Sequence, residues 1–263
     1  KRQVTYVPAM LEWYFISLML LPSFLNGAKV MTWTHSEVQA FWDYESQFHS
    51  SYWARDNGRF LYRFLPHSLP AGKTLRILDF GCGDGGLINH LLAYQALKKI
   101  TIRISGYDTS LRSVSKVNSS FCQNSSFEGC FTEVSELPKS SFDYIFLCEV
   151  IEHLYDEALS SLMQSLATLL SVNGRLIITT PLNEDLSKQL IYNPTAKALM
   201  HRWQHVRSWS APEISDLLHK HRFKDINITE TTIGWHLGPI YKRLYRRIRY
   251  IKPANLIVQC SIA

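Results

Sequence analysis

Short apolar runs alternate with amphipathic segments from Leu75 to the end of the chain. LRILDF (75–80) has the continuous apolar character of a buried strand, ITIRISGYD (100–108) is a strand ending on an acidic residue, and FDYIFLCEV (142–150) is the strongest strand pattern. NGRLIITTP (173–181) is entered through a turn and stopped by Pro181, and further strand patterns cover 127–131, 223–229 and 256–262. Helical spacing covers 87–97, 110–117, 157–170 and 211–220, the last with Pro212 in its first turn. Continuous apolar strands separated by helices predict a largely parallel sheet covered on both faces. Residues 75–263 read as one domain with insertions around 182–210 and 231–254, without internal repeats.

Ahead of this body, 36–65 is helical and rich in aromatic residues. Phe41, Tyr44, Phe48 and Tyr52 follow one helix face, which predicts packing on a core. With Gly58 and Pro66 as punctuation, 36–70 reads as a helical cover. The first thirty residues differ: Lys1 and Arg2 precede a mostly apolar stretch, 7–25, interrupted by Glu12, Ser17, Pro22 and Ser23. Its unbroken runs, 13–16 and 18–21, fall short of the roughly 20 residues a transmembrane helix needs. Three readings of 1–30 stay open: a secretory leader with Asn26-Gly27-Ala28 as a poor cleavage site, an extension ahead of a start at Met31, or a hydrophobic helix that covers the domain or touches a membrane.

The first strand runs into Asp79-Phe80-Gly81-Cys82-Gly83-Asp84-Gly85-Gly86, and a helix follows. Glycines at this junction let the backbone turn sharply and let a ligand approach the main chain. Gly81, Gly83 and Gly86 match the G-x-G-x-x-G dinucleotide fingerprint, so a nicotinamide-dependent oxidoreductase is one reading. Two carboxylates bear on the ligand. Asp79 lies inside the end of the first strand, and Asp108 ends the second, where a carboxylate can accept from ribose hydroxyls.

These residues also carry a resemblance. The D-x-G-x-G loop (Asp79 to Gly83) and the acidic Asp108 resemble the class I S-adenosylmethionine-dependent methyltransferase superfamily. So do Glu133-Val134 with Leu137-Pro138 ahead of Phe142-Asp143, and the strand end LCEVIEHL (147–154). The resemblance covers 75–182 well and 203–230 loosely. It implies an α/β, Rossmann-like fold with a seven-strand, mostly parallel sheet, helices on both faces and the N-terminal helical cover. It further implies S-adenosylmethionine as cofactor, with the Gly81, Cys82, Gly83 and Gly85 backbone facing its methionine part. Asp108 and Thr109 would lie at the ribose, Glu133 and Val134 near the adenine, and Asp79 and Cys148 at the loop. Glu133 stands where the superfamily more often has Asp.

Methyl transfer to oxygen or nitrogen needs a base or a metal for the acceptor's proton. Glu149, Glu152 and His153 follow the fourth strand at i, i+3 and i+4, which predicts one shared face on a helical turn. His201 and His205 in the insertion add imidazoles at the same end of the sheet. His153, Glu149 and His205 are the candidate catalytic residues. Glu149, Glu152, His153 and His205 are candidate ligands for Mg²⁺, Mn²⁺ or Zn²⁺. E-x-x-E-H with a later His followed four residues on by Trp resembles the metal-dependent terminal 2′-O-methyltransferases of small RNA. E-V-I-E-H alone resembles the ubiquinone-pathway O-methyltransferases, and many metal-free methyltransferases carry it. Cys82 and Cys148 read as small buried residues rather than nucleophiles. Trp203, Trp209, Trp235 and His236 sit in the insertions, where they either shape an acceptor pocket or pack.

Composition sharpens this in two ways. Five cysteines in 263 residues, an odd count, argue against a disulfide framework and fit reduced thiols in the cytoplasm. The net charge of +6 is local: Lys242, Arg243, Arg246, Arg247, Arg249 and Lys252 supply it, and without those six the chain has 22 basic and 22 acidic residues. With Leu244, Ile248 and Ile251 at helical spacing, 241–252 suggests a basic amphipathic helix. Such a segment would meet RNA, an anionic membrane surface or an acidic small acceptor, or would be a solvated cationic face. The expected activity is O-methylation of a small metabolite or lipid-like acceptor. Metal-assisted RNA 2′-O-methylation and an inactive methyltransferase-fold binding subunit are the alternatives, beside the oxidoreductase.

Overall fold

The structure is a computed structural model and describes residues 30–48, 52–233 and 252–262. The apolar segment 1–29, Trp235, His236 and the basic run apart from Lys252 lie outside the described residues. A seven-strand sheet forms the centre. Its strands are β1 (Thr74–Phe80), β2 (Thr101–Tyr107), β3 (Phe127–Phe131), β4 (Phe142–Cys148), β5 (Leu170–Pro181), β8 (Phe223–Thr231) and β9 (Asn255–Ile262), in the order β3-β2-β1-β4-β5-β9-β8. The first five run parallel, and β9 is antiparallel to both β5 and β8. The order reverses beside β1, so β1 and β4 deliver their carboxyl ends to the switch point where such sheets bind ligands.

The continuous apolar strands are buried on both faces. Ile77, Phe146 and Ile177 point into one core with Leu87, Ile88 and Leu91 of α3 (Gly86–Lys98). Leu78, Ile145, Leu147 and Ile178 point into the other, against Leu162, Met163 and Leu166 of α5 (Asp156–Leu169) and Ile214 and Leu218 of α6 (Ala211–Lys220). Neighbouring residues on a strand face opposite sides, so both layers must be apolar. Helix α6 starts at a capping box, with the Ser210 and Glu213 side chains each satisfying the other's backbone, and Pro212 beside it. Helix α4 (Leu111–Phe121) begins at Ser110, whose side chain accepts from the Ser113 amide.

Two segments lie over the carboxyl end of the sheet. The cover comprises α1 (His35–Phe48), α2 (Trp53–Asn57) and a 3-10 turn, Gly58–Phe64, the turn packed alongside α3. The insertion between β5 and α6 folds as a small antiparallel hairpin, β6 (Leu190–Asn193) and β7 (Ala198–His201). The aromatic stripe of α1 departs from expectation: Tyr44 is 59% and Phe48 67% exposed. The helix instead lays Gln39, Trp42, Asp43 and Ser46 on the domain, because its neighbours there are polar loops and the histidine-rich insertion. Helical spacing identified the helix but not its docked side. Among the described residues no helix is long and apolar enough to cross a membrane.

Candidate active site

The glycine loop leaves β1 with Gly81 and Gly83 at φ 81° and 52°, conformations that side chains rarely adopt. A Cβ on Gly81 would stand 2.5 Å from Val150, so the loop also needs glycine for space. Gly81 N and Cys82 N both donate to Tyr107 O, at 2.7 and 2.9 Å. Gly83 N donates to Asp108 Oδ2 at 2.8 Å, and Ser110 N donates to Asp108 Oδ1 at 2.9 Å. One carboxylate thus joins the loops that follow β1 and β2. Burial raises the Asp108 carboxyl while the two amides oppose the rise. Thr109 is exposed beside it.

Asp79 is 2% exposed and its Oδ2 has no partner among the described residues. Burial, then the charges of Asp108 and Asp84, push its carboxyl up to about 8. A buried oxygen without a donor, aimed from the strand end beneath a glycine loop, suits a cationic or N–H-bearing ligand. Cys82 and Cys148 are buried thiols; a hydrogen bond with Cys130 at 3.3 Å and then burial disfavour ionisation of the first, and burial that of the second, in keeping with small packing residues. Glu133 is exposed and Val134 half-buried after β3.

The cover closes this end. Gln39 Nε2 donates to Thr109 O at 3.2 Å, and Ser110 Oγ donates to Asp43 Oδ1 at 2.5 Å. Arg55 pairs with the buried Asp84 of the glycine loop at 2.6 Å. The Tyr52 ring lies 3.1 Å from where a Gly83 Cβ would be.

Beyond β4 the chain makes a tight turn. Glu149 has φ 53°, and Ile151–His153 form one 3-10 turn. This left-handed residue breaks the helical register that would have put Glu149, Glu152 and His153 on one face. Glu149 accepts from Thr179 Oγ1 at 2.8 Å, and Glu152 Oε2 accepts from Thr180 Oγ1 at 3.0 Å. Burial pushes Glu149 up to about 7, with Glu184 adding to the rise, and pushes Glu152 well above the usual carboxylate range. Glu152 Oε1 is buried without a partner among the described residues. It lies 4.0 Å from His153 Nε2. Burial and the nearby His205 push His153 down to about 3, so its ring stays neutral.

The insertion delivers the remaining groups. Glu152, His153 and His205 each bring one potential ligand atom within 4.8 Å of the others, as do Glu184, His201 and His205. Glu149 belongs to neither group. Glu184 Oε2 lies 2.5 Å from His205 Nδ1, and Glu184 Oε1 3.7 Å from His201 Nε2. The His201 and His205 rings stack at 4.6 Å, and His205 meets His153 edge-on at 4.8 Å. Gln204, fully buried at φ 59°, donates to His153 O and accepts from Trp42 Nε1, tying the insertion, the β4 turn and α1 together. The imidazoles were visible in the sequence. Glu184 is not legible there, since 31 residues separate it from His153 and no local spacing links the two. Trp209 packs in the core and Trp203 is partly exposed.

The family described as "Methyltransferase domain" matches residues 41–228, which includes most of the cover, the glycine loop, the β4 turn and the insertion. The chain belongs to the methyltransferase domain family. The class I resemblance is thereby upheld, and the family match rather than glycine spacing decides against the nicotinamide reading. A Mycolicibacterium smegmatis protein named a probable S-adenosylmethionine-dependent methyltransferase is 25% identical over 184 residues, 70% of this chain and 62% of its own. The chain thus spans less than two thirds of that relative. Haemonchus contortus phosphoethanolamine N-methyltransferase 2, solved with S-adenosyl-L-methionine, shares the fold at TM-score 0.53 and 17% identity, over 87% of this chain and 57% of its own. The [4+2]-cyclase SpnF does so at TM-score 0.57 and 14% identity, over 90% of this chain and 98% of its own. At such identities the likeness is one of fold.

Proposed function

We propose that this methyltransferase-family enzyme moves a methyl group from S-adenosylmethionine to an oxygen of a small or lipid-like acceptor. The observation that carries the reading is the convergence, at one end of the sheet, of the Asp108-linked glycine loop with a buried Glu–His group. Asp79, Gly81, Cys82, Gly83, Gly85, Asp108, Thr109, Glu133, Val134 and Cys148 would hold the cofactor. The orphaned Asp79 oxygen and the positive-φ glycines of the loop fit such a group. When bound, the cofactor supplies an activated methyl on a sulfonium.

The chain's own work is then to hold the acceptor oxygen in line at about 3–3.5 Å and to take its proton. His205 is the base in this reading, and the neutral His153 lies beside it. The cover and Val150 shield the glycine loop from water.

A metal-assisted version of the same transfer has an observation in its favour. Glu152 Oε1 is buried without a partner, in a group where His153 and His205 each offer a nitrogen within 4.8 Å. Mixed imidazole and carboxylate donors suit Zn²⁺ or Mn²⁺, and the metal would lower the acceptor's pKa. Such assistance is the basis of the RNA 2′-O-methylation alternative.

Labelled-methyl transfer into fractionated native extract tests both, before and after RNase and lipid extraction and with and without EDTA. EDTA-resistant label in RNase-resistant material supports the first reading. Label that vanishes with RNase moves the assignment to RNA, and turnover unchanged in EDTA removes the metal. No label in any fraction, with S-adenosylhomocysteine bound, would point to a binding subunit.

A further inference from the structure

Hydrogen bonding decides which nitrogen of each imidazole carries the proton. Glu184 Oε2, a carboxylate oxygen, can only accept, so His205 Nδ1 at 2.5 Å is the donor. In the neutral ring that leaves His205 Nε2 as the lone-pair nitrogen. His153 has the same arrangement, with Nδ1 facing the Gln204 carbonyl at 3.5 Å. His201 is the reverse: its Nδ1 accepts from Trp203 N at 3.3 Å and from His205 N at 3.1 Å, so its proton is on Nε2, toward Glu184 Oε1. His201 is therefore unsuited to ligate or to accept a proton through Nε2. It holds the main chain of His205 while facing the other oxygen of the carboxylate that holds its ring.

We propose that Glu184 is the positioning residue of this site, locking His205 in the Nδ1–H tautomer so that Nε2 alone is available to accept an acceptor's proton or a metal. Free histidine favours the opposite tautomer, so the carboxylate imposes what the ring would not choose. Hydrogen-bonded carboxylates behind a working imidazole set its tautomer and orientation in this way, and their loss typically costs about 10–100-fold in affinity or activity. The inference rests on the reading of His205 as the working group, but the tautomer can be measured without an acceptor or a cofactor.

The test is long-range ¹H–¹⁵N correlation of the imidazoles in the full chain, with His205 assigned through His205→Ala. The expected result is an Nδ1–H His205 in the wild type, the Nε2–H form in Glu184→Leu, and retention of Nδ1–H in Glu184→Gln, which keeps an acceptor. Methyl incorporation from extract should fall about 10–100-fold in Glu184→Leu and less in Glu184→Gln. S-adenosylhomocysteine affinity should be unchanged in both. An Nε2–H tautomer in the wild type overturns the inference even if Glu184→Leu fails to fold. Full methyl transfer by Glu184→Leu overturns it as well. Full activity of His205→Ala would instead remove the base reading while leaving the tautomer to be decided by the spectrum.

Discussion

Arg55 Nε lies 2.6 Å from Asp84 Oδ2, so a residue of the N-terminal cover neutralises a carboxylate buried in the glycine loop. The Asp84 side chain is 2% exposed and the Arg55 side chain 47%. Its other oxygen accepts from Gly86 N at 3.0 Å. Removing the guanidinium leaves a buried charge with one donor. Arg55→Ala is expected to lower stability by about 1–3 kcal/mol, less than for a fully buried pair because Arg55 is half in water. Thermal denaturation of the two proteins checks this, and an unchanged midpoint would show that the pair contributes nothing.

Gly86 makes the same contact sterically. A Cβ there would stand 2.7 Å from the Arg55 Cα and N, atoms that cannot rotate away. Gly86→Ala should push α2 off α3, with a cost of about 1–3 kcal/mol. Hydrogen exchange should accelerate in 53–57 while the central strands stay protected.

Asp108 holds two loop amides with one carboxylate. Hydrogen bonds to a charged group contribute about 1.5–3 kcal/mol each. Asp108→Ala should weaken S-adenosylhomocysteine binding about 100-fold or more, and Asp108→Asn, which keeps one acceptor, should lose less. Calorimetric titration measures both, and equal affinity in all three proteins would remove Asp108 from the cofactor site.

Asp79 predicts a pH dependence. Its carboxyl titrates at about 8 in the fold and near the ordinary value of 3.8 when unfolded. Between these values the folded state keeps a proton that the unfolded chain has released, so stability falls as pH rises through the window and levels off above it. Asp79→Asn has no such proton. The stability of Asp79→Asn relative to the wild type, measured by denaturant unfolding, should therefore rise from pH 5 to pH 8, by a few kcal/mol at most. A difference that is constant with pH would contradict the raised value.

Trp42 and Gln204 link the cover to the insertion, with Nε1 donating to Oε1 at 3.2 Å. Gln204 is fully buried, so Trp42→Phe leaves an oxygen without its donor, at about 1–3 kcal/mol. Trp42→Phe with Gln204→Leu should cost less than the sum of the two, a coupling that a double-mutant cycle reads directly.

The local sequence determined a good deal of this protein. Continuous apolar runs place β1, β4 and β5, because a strand buried on both faces has no polar side to show. Pro212 marks the start of α6, and the glycines and Asp108 locate the cofactor end, because a positive φ and a strand-end carboxylate are local requirements. The family resemblance followed from those residues in order. Tertiary structure decided the rest. Which face of α1 docks depends on what lies beneath it, and here polar loops outweighed the Phe41–Phe48 stripe. The i, i+3, i+4 spacing of Glu149, Glu152 and His153 suggested one surface, but a left-handed turn at Glu149 sends that carboxylate to Thr179 instead. Glu184 and His205 lie 21 residues apart on either side of a hairpin. No sequence period relates them, since only the folding of β6 against β7 closes the distance.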